Sequence, residues 1–257
     1  MRMIVPALRS PIVMAHGFFG YDRIGLGRWT LAEYFHGVDR SLRAAGNRVL
    51  IPRLSPTGGI AERAAQLKTF LDRHALGEPV HILAHSMGGL DSRYMISHLG
   101  MADRVLSLTT LGTPHHGTSY IDWLVKRFGF FARPALDAFG IARQGFRDLT
   151  TLSCADFNQR TPDQPQVRYL SVVGRCEGPW LGFPWTLSQR LVERHEGPND
   201  GVVSVDSATY GEHTEVWEGD HLALINIRNR HASWRGVWKD RSEHYGRLVR
   251  RLADLGY

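Results

Sequence analysis

The sequence is poor in cysteine and has no apolar run long enough to cross a membrane. Its 257 residues include two cysteines, Cys154 and Cys176. Two thiols can build neither a disulfide framework nor a four-ligand zinc site, although one bridge between them stays possible. No apolar run reaches the ~18 residues that a membrane-spanning helix needs. These absences argue against a disulfide-stabilised small domain, a zinc-binding domain and a membrane-spanning protein.

The N-terminal segment lacks the features of a secretory signal. It has no distinct long apolar stretch followed by a small-residue cleavage site. Instead, the first residues run directly into an apolar, strand-like segment at 11–17. We therefore expect either a cytoplasmic protein or the trimmed, mature form of a secreted one.

The chain also lacks a strong excess of either charge, since its formal net charge is +6. Part of the basic excess lies in residues 228–252, which could favour anionic surfaces or fatty-acid products. A solvated helix face is the simpler interpretation. This segment has no zipper, zinc-finger or RNA-binding signature, so we expect no nucleic-acid partner.

Apolar runs and helix-periodic segments alternate along the chain. The runs are nearly continuous, as is typical of strands that are buried on both faces. This pattern predicts an α/β fold, with a mainly parallel sheet of about six strands and helices on both faces, in one domain over 1–257. The expected strands are 11–17, 47–53, 79–85, 105–112, 167–174 and 213–219. The expected helices are 28–46, 60–76, 86–100, 146–160 and 240–256, with an aromatic loop at 176–189.

Residues 118–150 break this alternation, because they are rich in aromatics and alanine and contain no clean strand. We expect a helical insertion with a large apolar face. That face either packs on the main core or covers a binding site as a lid. In the second case the substrate-binding candidates are Phe19, Trp123, Phe130 and Phe131.

Ser86 follows the apolar strand 79–85 and opens the next helical segment. Ala84 and Gly88, two residues before and after it, have almost no side chain. A strained turn between strand and helix requires small residues there, because the chain segments approach closely. The pattern therefore predicts a nucleophile elbow of the form A-x-S-x-G. The alternative is that Ser86 is an ordinary helix N-cap.

A serine hydroxyl needs a base to become a nucleophile. In this architecture the acid and the histidine follow the serine in that order. Asp200 lies in a glycine-bounded loop, and His221 comes just after the last expected strand. We expect Asp200 to orient His221 and to stabilise its charged form, with Asp206 and Asp220 as rival acids.

Acyl transfer also needs two backbone N–H groups that stabilise the oxyanion. One donor is expected at Met87, directly after the nucleophile. The other is expected at Phe18, where His16 and Gly17 turn the chain after the first strand. His16 is interpreted as a structural hydrogen-bonding residue rather than as a base.

These motifs resemble those of the bacterial triacylglycerol lipases of the α/β-hydrolase fold, of the Pseudomonas and Burkholderia type. The resemblance implies a triad of Ser86, Asp200 and His221, and a mobile helical lid at about 118–150. The matching segments are MAHGFFGYD (14–22), AHSMGGLDSRY (84–94), LGTPHHGTSY (111–120), PNDGVVS (198–204) and DHLALIN (220–226).

The resemblance also implies a structural calcium, but the chain departs from the family at its ligands. Ala223 stands where the family has an aspartate, and a methyl group cannot bind a hard cation. The upstream ligand region, near 176–185, offers only Glu177. The family's disulfide has no clear counterpart either. We therefore expect no metal and no other cofactor.

The expected activity is hydrolysis of carboxylic esters through an acyl-enzyme on Ser86. The aromatic insertion favours medium to long acyl chains, with a small-molecule or lipid ester as substrate and a possible lipid interface. An acyltransferase, a thioesterase or a polyester depolymerase could use the same triad. A catalytically idle binding module would require a missing triad member, and none is missing. The sequence does not specify the oligomeric state.

Overall fold

The structure is a computed structural model. It describes residues 5–18, 23–26, 29–128, 144–177, 180–182 and 185–257. The described residues form a six-stranded sheet and a separate two-stranded hairpin. The strands are β1 (Ile12–Ala15), β2 (Arg23–Leu26), β3 (Trp29–Glu33), β4 (Val49–Leu50), β5 (Val80–His85), β6 (Val105–Leu111), β7 (Arg168–Arg175) and β8 (His213–Glu218).

All strand pairs of the larger sheet are parallel, in the order β4-β1-β5-β6-β7-β8. This confirms the predicted parallel sheet of six strands. The chain runs from β1 outward to β4 and then returns to β5 on the other side of β1. The strand order therefore changes direction between β1 and β5, and ligands of open α/β sheets bind beyond the carboxyl ends of strands at such a point.

Helices cover both faces of this sheet. Along β1, Ile12 and Met14 pack in one apolar cluster with α1 (Val38–Ala44) and α10 (Ser242–Asp254). Val13 and Ala15 pack in another cluster with α2 (Ile60–His74) and α3 (Met87–His98). Successive residues of a strand point to opposite faces, so β1 is buried on both sides. The helices are α1 (Val38–Ala44), α2 (Ile60–His74), α3 (Met87–His98), α4 (Ser119–Phe128), α5 (Gln144–Asp148), α6 (Thr151–Arg160), α7 (Trp185–Glu196), α8 (Val205–Ala208), α9 (Arg230–Trp234) and α10 (Ser242–Asp254).

The predicted helix at 28–46 is wrong in its first half. There, β3 pairs antiparallel with β2, and α1 begins only at Val38. Gly37, which precedes α1, has φ 70°, a left-handed conformation that interrupts a continuous helix. Helical spacing of apolar residues could not anticipate the pairing of β3 with β2, because that pairing depends on another segment.

Three other predicted boundaries differ from the structure. The segment 146–160 contains two helices, and the side chain of Thr150 caps the second by accepting from the N–H of Ser153. The predicted loop at 176–189 gives way to α7 at Trp185. The predicted strand at 47–53 shortens to Val49–Leu50, ahead of Pro52.

The insertion at 118–150 is described in part. Its ends form α4 and α5, which pack against each other. Residues 129–143, and with them the candidates Phe130 and Phe131, lie outside the described residues, as does Phe19. Among the described helices, none combines the length and the apolar character needed to cross a membrane.

Candidate active site

Ser86 lies at the turn between β5 and α3, with φ 54° and ψ −131°. A non-glycine residue with positive φ is strained by about 1–3 kcal/mol and persists only where the surrounding structure imposes it. Here the backbone N–H of Ser86 donates to Leu111 O at 2.9 Å, and Thr113 Oγ1 donates to Ser86 O at 2.7 Å. The Ser86 side chain forms no capping hydrogen bond to α3. The geometry is therefore that of a strained elbow, and not of an ordinary N-cap.

The small residues around the elbow are required by close contacts. A Cβ atom added to Gly88 would lie 2.9 Å from the carbonyl oxygens of Ala15 and His16, at the end of β1. A Cβ atom added to Gly17 would lie 2.6 Å from the Cβ of Ser86. Real Cβ atoms do not approach other atoms this closely, so glycine is needed at both positions. The turn after β1 consequently lies directly against Ser86.

Asp200 and His221 form a hydrogen-bonded pair. His221 Nδ1 lies 2.6 Å from Asp200 Oδ2, and the backbone N–H of His221 donates to Asp200 O at 2.9 Å. The other carboxylate oxygen, Oδ1, accepts the backbone N–H groups of Val202 and Val203 at 3.0 and 2.8 Å. Three donors therefore fix the orientation of this buried carboxylate.

The environment of His221 favours its charged form. Burial acts to lower the pKa of His221, but the negative charge of Asp200 and the hydrogen bond to it outweigh burial and raise that pKa above its ordinary value. Such a pair suits a general base that becomes a cation during the reaction.

The Asp200–His221 pair and Ser86 meet at the carboxyl ends of the strands. Leu111 accepts the backbone N–H of Ser86, and the next residue is Gly112. A Cβ atom added to Gly112 would lie 3.1 Å from both Asp200 Oδ2 and His221 Nδ1, so the pair lies against the residue that follows Leu111. The ring of His85, the residue before Ser86, lies 4.5 Å from the ring of His221, centroid to centroid. Within the described residues, Ser86 and His221 share no hydrogen bond. Catalytic hydrogen bonds are often long until substrate binds.

The backbone of the turn after β1 is held by His16. The N–H of Leu54 donates to His16 Nε2 at 3.1 Å, so the ring hydrogen is on Nδ1, which lies 2.9 Å from Gly17 O. The C=O and N–H of a trans peptide point in opposite directions. The bond to Gly17 O therefore also fixes the direction of the Phe18 N–H. Met87 is the first residue of α3, and its N–H has no acceptor within that helix.

The rival acids lie elsewhere. Asp206 is exposed on α8. Asp220 is buried, but its Oδ1 accepts the N–H of Ala223 at 2.7 Å and its Oδ2 contacts Asn229. Of these three aspartates, only Asp200 contacts the His221 ring within hydrogen-bonding distance.

The two cysteines are not bridged. Cys154 and Cys176 are both free and buried. Cys154 packs in the apolar cluster that includes Met87, and Cys176 packs beside Trp180. Both thiols are therefore part of the core.

An apolar cavity of 420 Å³ opens beside His221. Apart from Asp200 and His221, sequence reasoning did not find the residues that line this cavity, most of which come from the predicted aromatic loop and from the chain after His221. The predicted substrate-binding residue Trp123 lies half-buried on α4 and is not part of this cavity. The apolar side chains that line it are Leu181, Trp185, Val202, Leu222 and Ile227, and the basic ones are Arg228, Arg230 and His231.

The described residues do not fit the calcium that the family resemblance implies. Ala223 has no oxygen in its side chain, and the carboxylate of Asp220 is already engaged by Ala223 N and Asn229. Glu177 is exposed and paired with Arg175. In the part of the chain that the structure describes, no three His, Cys, Asp or Glu side chains cluster so as to hold a metal ion.

Two further residues contact the site and escaped the sequence analysis. Tyr34 Oη lies 2.7 Å from His85 Nδ1, and His85 Nε2 lies 2.9 Å from His221 O. The only available signal was the position of His85 directly before the nucleophile. Tyr34 lay inside a predicted helix and gave no signal.

The chain is similar in sequence to several lipases, although no protein-family model matches it. Triacylglycerol lipase 2 of Saccharomyces cerevisiae is 34% identical over 219 residues, which cover 77% of this chain and 64% of the yeast protein. This chain thus spans less than two thirds of that relative's length. A triacylglycerol lipase of Pseudarthrobacter phenanthrenivorans is 27% identical over 292 residues, which cover 86% of this chain and 89% of the relative.

The fold agrees with these sequence matches. The mature form of the Bacillus licheniformis lipase BlEst2 superimposes with a TM-score of 0.68 and 23% identity, over 84% of this chain and 86% of that one. At this identity the likeness shows the fold, which is that of an α/β-hydrolase. The sequence matches, the parallel sheet and the Ser86 elbow together lead to one conclusion. The chain is similar to triacylglycerol lipases over most of its length and has the α/β-hydrolase fold.

Proposed function

We propose that this protein is a serine hydrolase of carboxylic esters. The observation that carries the proposal is the meeting of the strained Ser86 elbow with the hydrogen-bonded pair of Asp200 and His221. The names of the relatives, which are triacylglycerol lipases, support ester hydrolysis.

The mechanism follows from the roles that this geometry allows. His221 Nε2 takes the proton of Ser86 Oγ as that oxygen bonds to the acyl carbon of the ester. The N–H groups of Phe18 and Met87 stabilise the oxyanion. The bond from the acyl carbon to the alcohol oxygen then breaks, and His221 returns the proton to the leaving alcohol. Water attacks the acyl-enzyme with His221 as base, which releases the acid and restores Ser86.

The cavity beside His221 indicates the substrate class. Most of the surface that it exposes is apolar, with Leu181, Trp185 and Leu222 among the lining side chains, and His221 lies in its wall. Burial of an apolar chain contributes about 0.8 kcal/mol for each CH₂ group. The proposed substrate is therefore an ester with an extended apolar chain, such as a lipid ester.

Exposed aromatic and basic side chains near the cavity support contact with a lipid surface. Trp234 is 78% exposed, Trp185 is 52% exposed, and the guanidinium of Arg235 lies 4.9 Å from the Trp234 ring. Tryptophan and arginine are typical of the boundary between water and lipid. We expect Trp234→Ala to reduce turnover of an emulsified ester more than turnover of a soluble one. Equal losses on both would contradict this contact.

The proposal is tested by an acyl-chain-length profile on p-nitrophenyl esters and on emulsions. Ser86→Ala should lower kcat by on the order of 10⁶-fold. Ser153→Ala, at a serine on α6, is the matched control and should retain activity. If Ser86→Ala retained turnover of p-nitrophenyl butyrate, the nucleophile assignment would be wrong. Faster acyl transfer to an added alcohol than to water would identify an acyltransferase instead.

A further inference from the structure

A chain of three hydrogen bonds joins the turn after β1 to the loop that carries His221. The backbone N–H of Gly17 donates to Tyr34 Oη at 2.9 Å. Tyr34 Oη lies 2.7 Å from His85 Nδ1, and His85 Nε2 lies 2.9 Å from the carbonyl oxygen of His221. This series of hydrogen bonds starts at Gly17, one residue before Phe18, and ends on the backbone carbonyl of His221, the proposed base.

The chemistry of the four groups fixes the direction of every bond in this chain. The carbonyl of His221 can only accept, so Nε2 of His85 must carry the ring hydrogen. In a neutral imidazole the other nitrogen is then an acceptor, and the Tyr34 hydroxyl must donate to it. The lone pair of the Tyr34 oxygen receives the Gly17 N–H. Each donor and acceptor therefore has one partner, with no alternative arrangement.

The surroundings keep His85 in the neutral form that this chain needs. Burial lowers the pKa of His85 well below its ordinary value, and the nearby His221 lowers it further. The ring is packed between Tyr34 at 5.6 Å and His221 at 4.5 Å, centroid to centroid. Burial also raises the pKa of Tyr34, so its hydroxyl keeps its proton.

We propose that Tyr34 and His85 are positioning residues, which hold the Phe18 N–H and the His221 ring at the separation that acyl transfer requires. They act through Gly17 and the backbone of His221 and do not touch the reacting atoms. This inference rests on the proposed ester hydrolysis. The oxyanion donor follows β1, the nucleophile follows β5 and the base follows β8. Because the hydrogen bonds through Tyr34 and His85 join the turn after β1 to the loop after β8, they set the distance between the oxyanion donor and the base on either side of the nucleophile.

Removal of one hydroxyl group breaks the chain at its centre. Tyr34→Phe leaves the Gly17 N–H and His85 Nδ1 without their partners, while the aromatic ring stays in place. A displacement of about 1 Å in a catalytic group can cost on the order of 10²-fold in rate. We expect kcat on p-nitrophenyl butyrate to fall about 10- to 100-fold, with KM changed by less than about threefold. A loss of kcat at constant KM is the mark of an interaction that matters in the transition state.

Tyr169→Phe is the matched control. Tyr169 is also a largely buried tyrosine whose hydroxyl accepts a backbone N–H, that of Gln164 at 3.1 Å, but it lies at the start of β7. It should lose stability without losing kcat. If folded Tyr34→Phe has the same kcat as Tyr169→Phe, the positioning role is refuted.

His85 provides a second test, which also covers the case that Tyr34→Phe does not fold. An amide offers one donor and one acceptor, whereas a phenyl ring offers neither. We therefore expect kcat of His85→Gln to exceed that of His85→Phe by about tenfold or more, and equal values would overturn the inference.

Ser86→Ala separates the two proposals. If turnover does not depend on Ser86, the proposed function fails, whereas Ser86-dependent turnover that is insensitive to Tyr34 and His85 refutes only the positioning role.

Discussion

Replacing Asp200 by asparagine changes one carboxylate oxygen into an NH₂ group and leaves the shape of the side chain unchanged. The N–H groups of Val202 and Val203 both donate to Oδ1, so the asparagine must keep its oxygen there. Its NH₂ group then occupies the position of Oδ2, which lies 2.6 Å from His221 Nδ1 in the wild type. An NH₂ group only donates in this geometry, so Nδ1 must become an acceptor and the ring hydrogen must move to Nε2.

In this tautomer Nε2 can no longer take the proton of Ser86. Loss of the correct tautomer in such a triad costs about 10³- to 10⁴-fold in kcat, which corresponds to about 4–5.5 kcal/mol. The variant also loses the negative charge that raises the pKa of His221. Since the neutral imidazole is the active form, activity rises with pH through that pKa. The acid limb of the pH–rate profile should therefore lie at lower pH in Asp200→Asn than in the wild type.

The assay is steady-state hydrolysis of p-nitrophenyl butyrate over a range of pH, with circular dichroism and thermal melting to confirm folding. Asp206→Asn is the control, because Asp206 is exposed on α8, and its activity should stay within about twofold of wild type. A folded Asp200→Asn protein with kcat within tenfold of wild type would refute the role assigned to Asp200. An unshifted acid limb would refute the electrostatic part of the argument.

Three further predictions concern metal, packing and pH. EDTA should change neither the melting temperature nor the activity, and a large drop in either would reveal a metal site. Gly88→Ala should lower the free energy of unfolding by about 1–3 kcal/mol in urea denaturation, because the new Cβ meets two backbone carbonyl oxygens at 2.9 Å; an unchanged midpoint would contradict this. Burial lowers the pKa of His81 to about 4, below its ordinary 6.5, so the unfolded chain binds the proton more strongly and stability is lost as pH falls below 6.5. Between pH 7 and pH 5 the loss should be about 2 kcal/mol, and His81→Phe should remove it; equal pH slopes in the two proteins would show that His81 is not its source.

The predicted sheet and elbow depended on local signals. Strands that are buried on both faces must be apolar at every position, so β5 and β6 are visible as uninterrupted runs. The elbow needs small residues beside Ser86, because the end of β1 lies against the start of α3. Because that contact requires glycine at position 88, Gly88 indicates the turn in the sequence itself. The order of serine, aspartate and histidine along the chain is likewise visible without coordinates.

The predictions that failed were those that depended on a distant segment. Residues 29–33 have helical spacing, yet they form β3 because 23–26 offers a strand to pair with. The substrate-binding role of Trp123 stays a prediction, because residues 129–143 of the insertion lie outside the described residues. The cavity beside His221 uses Trp185 and Leu222, which the sequence pattern did not indicate. Spacing along the chain carries no information on such pairings.

The sequence by itself determined the parallel α/β sheet, the position of Ser86 at a tight turn and a choice of three aspartates as partners for His221. Only the tertiary structure decided that Asp200 holds the imidazole and that Tyr34 and His85 connect the two sides of the site. The physical reason is the range of the interactions. Strand burial and turn strain constrain residues that are neighbours in sequence, whereas a hydrogen bond of 2.6–2.9 Å between separate loops depends on where the whole sheet places their ends.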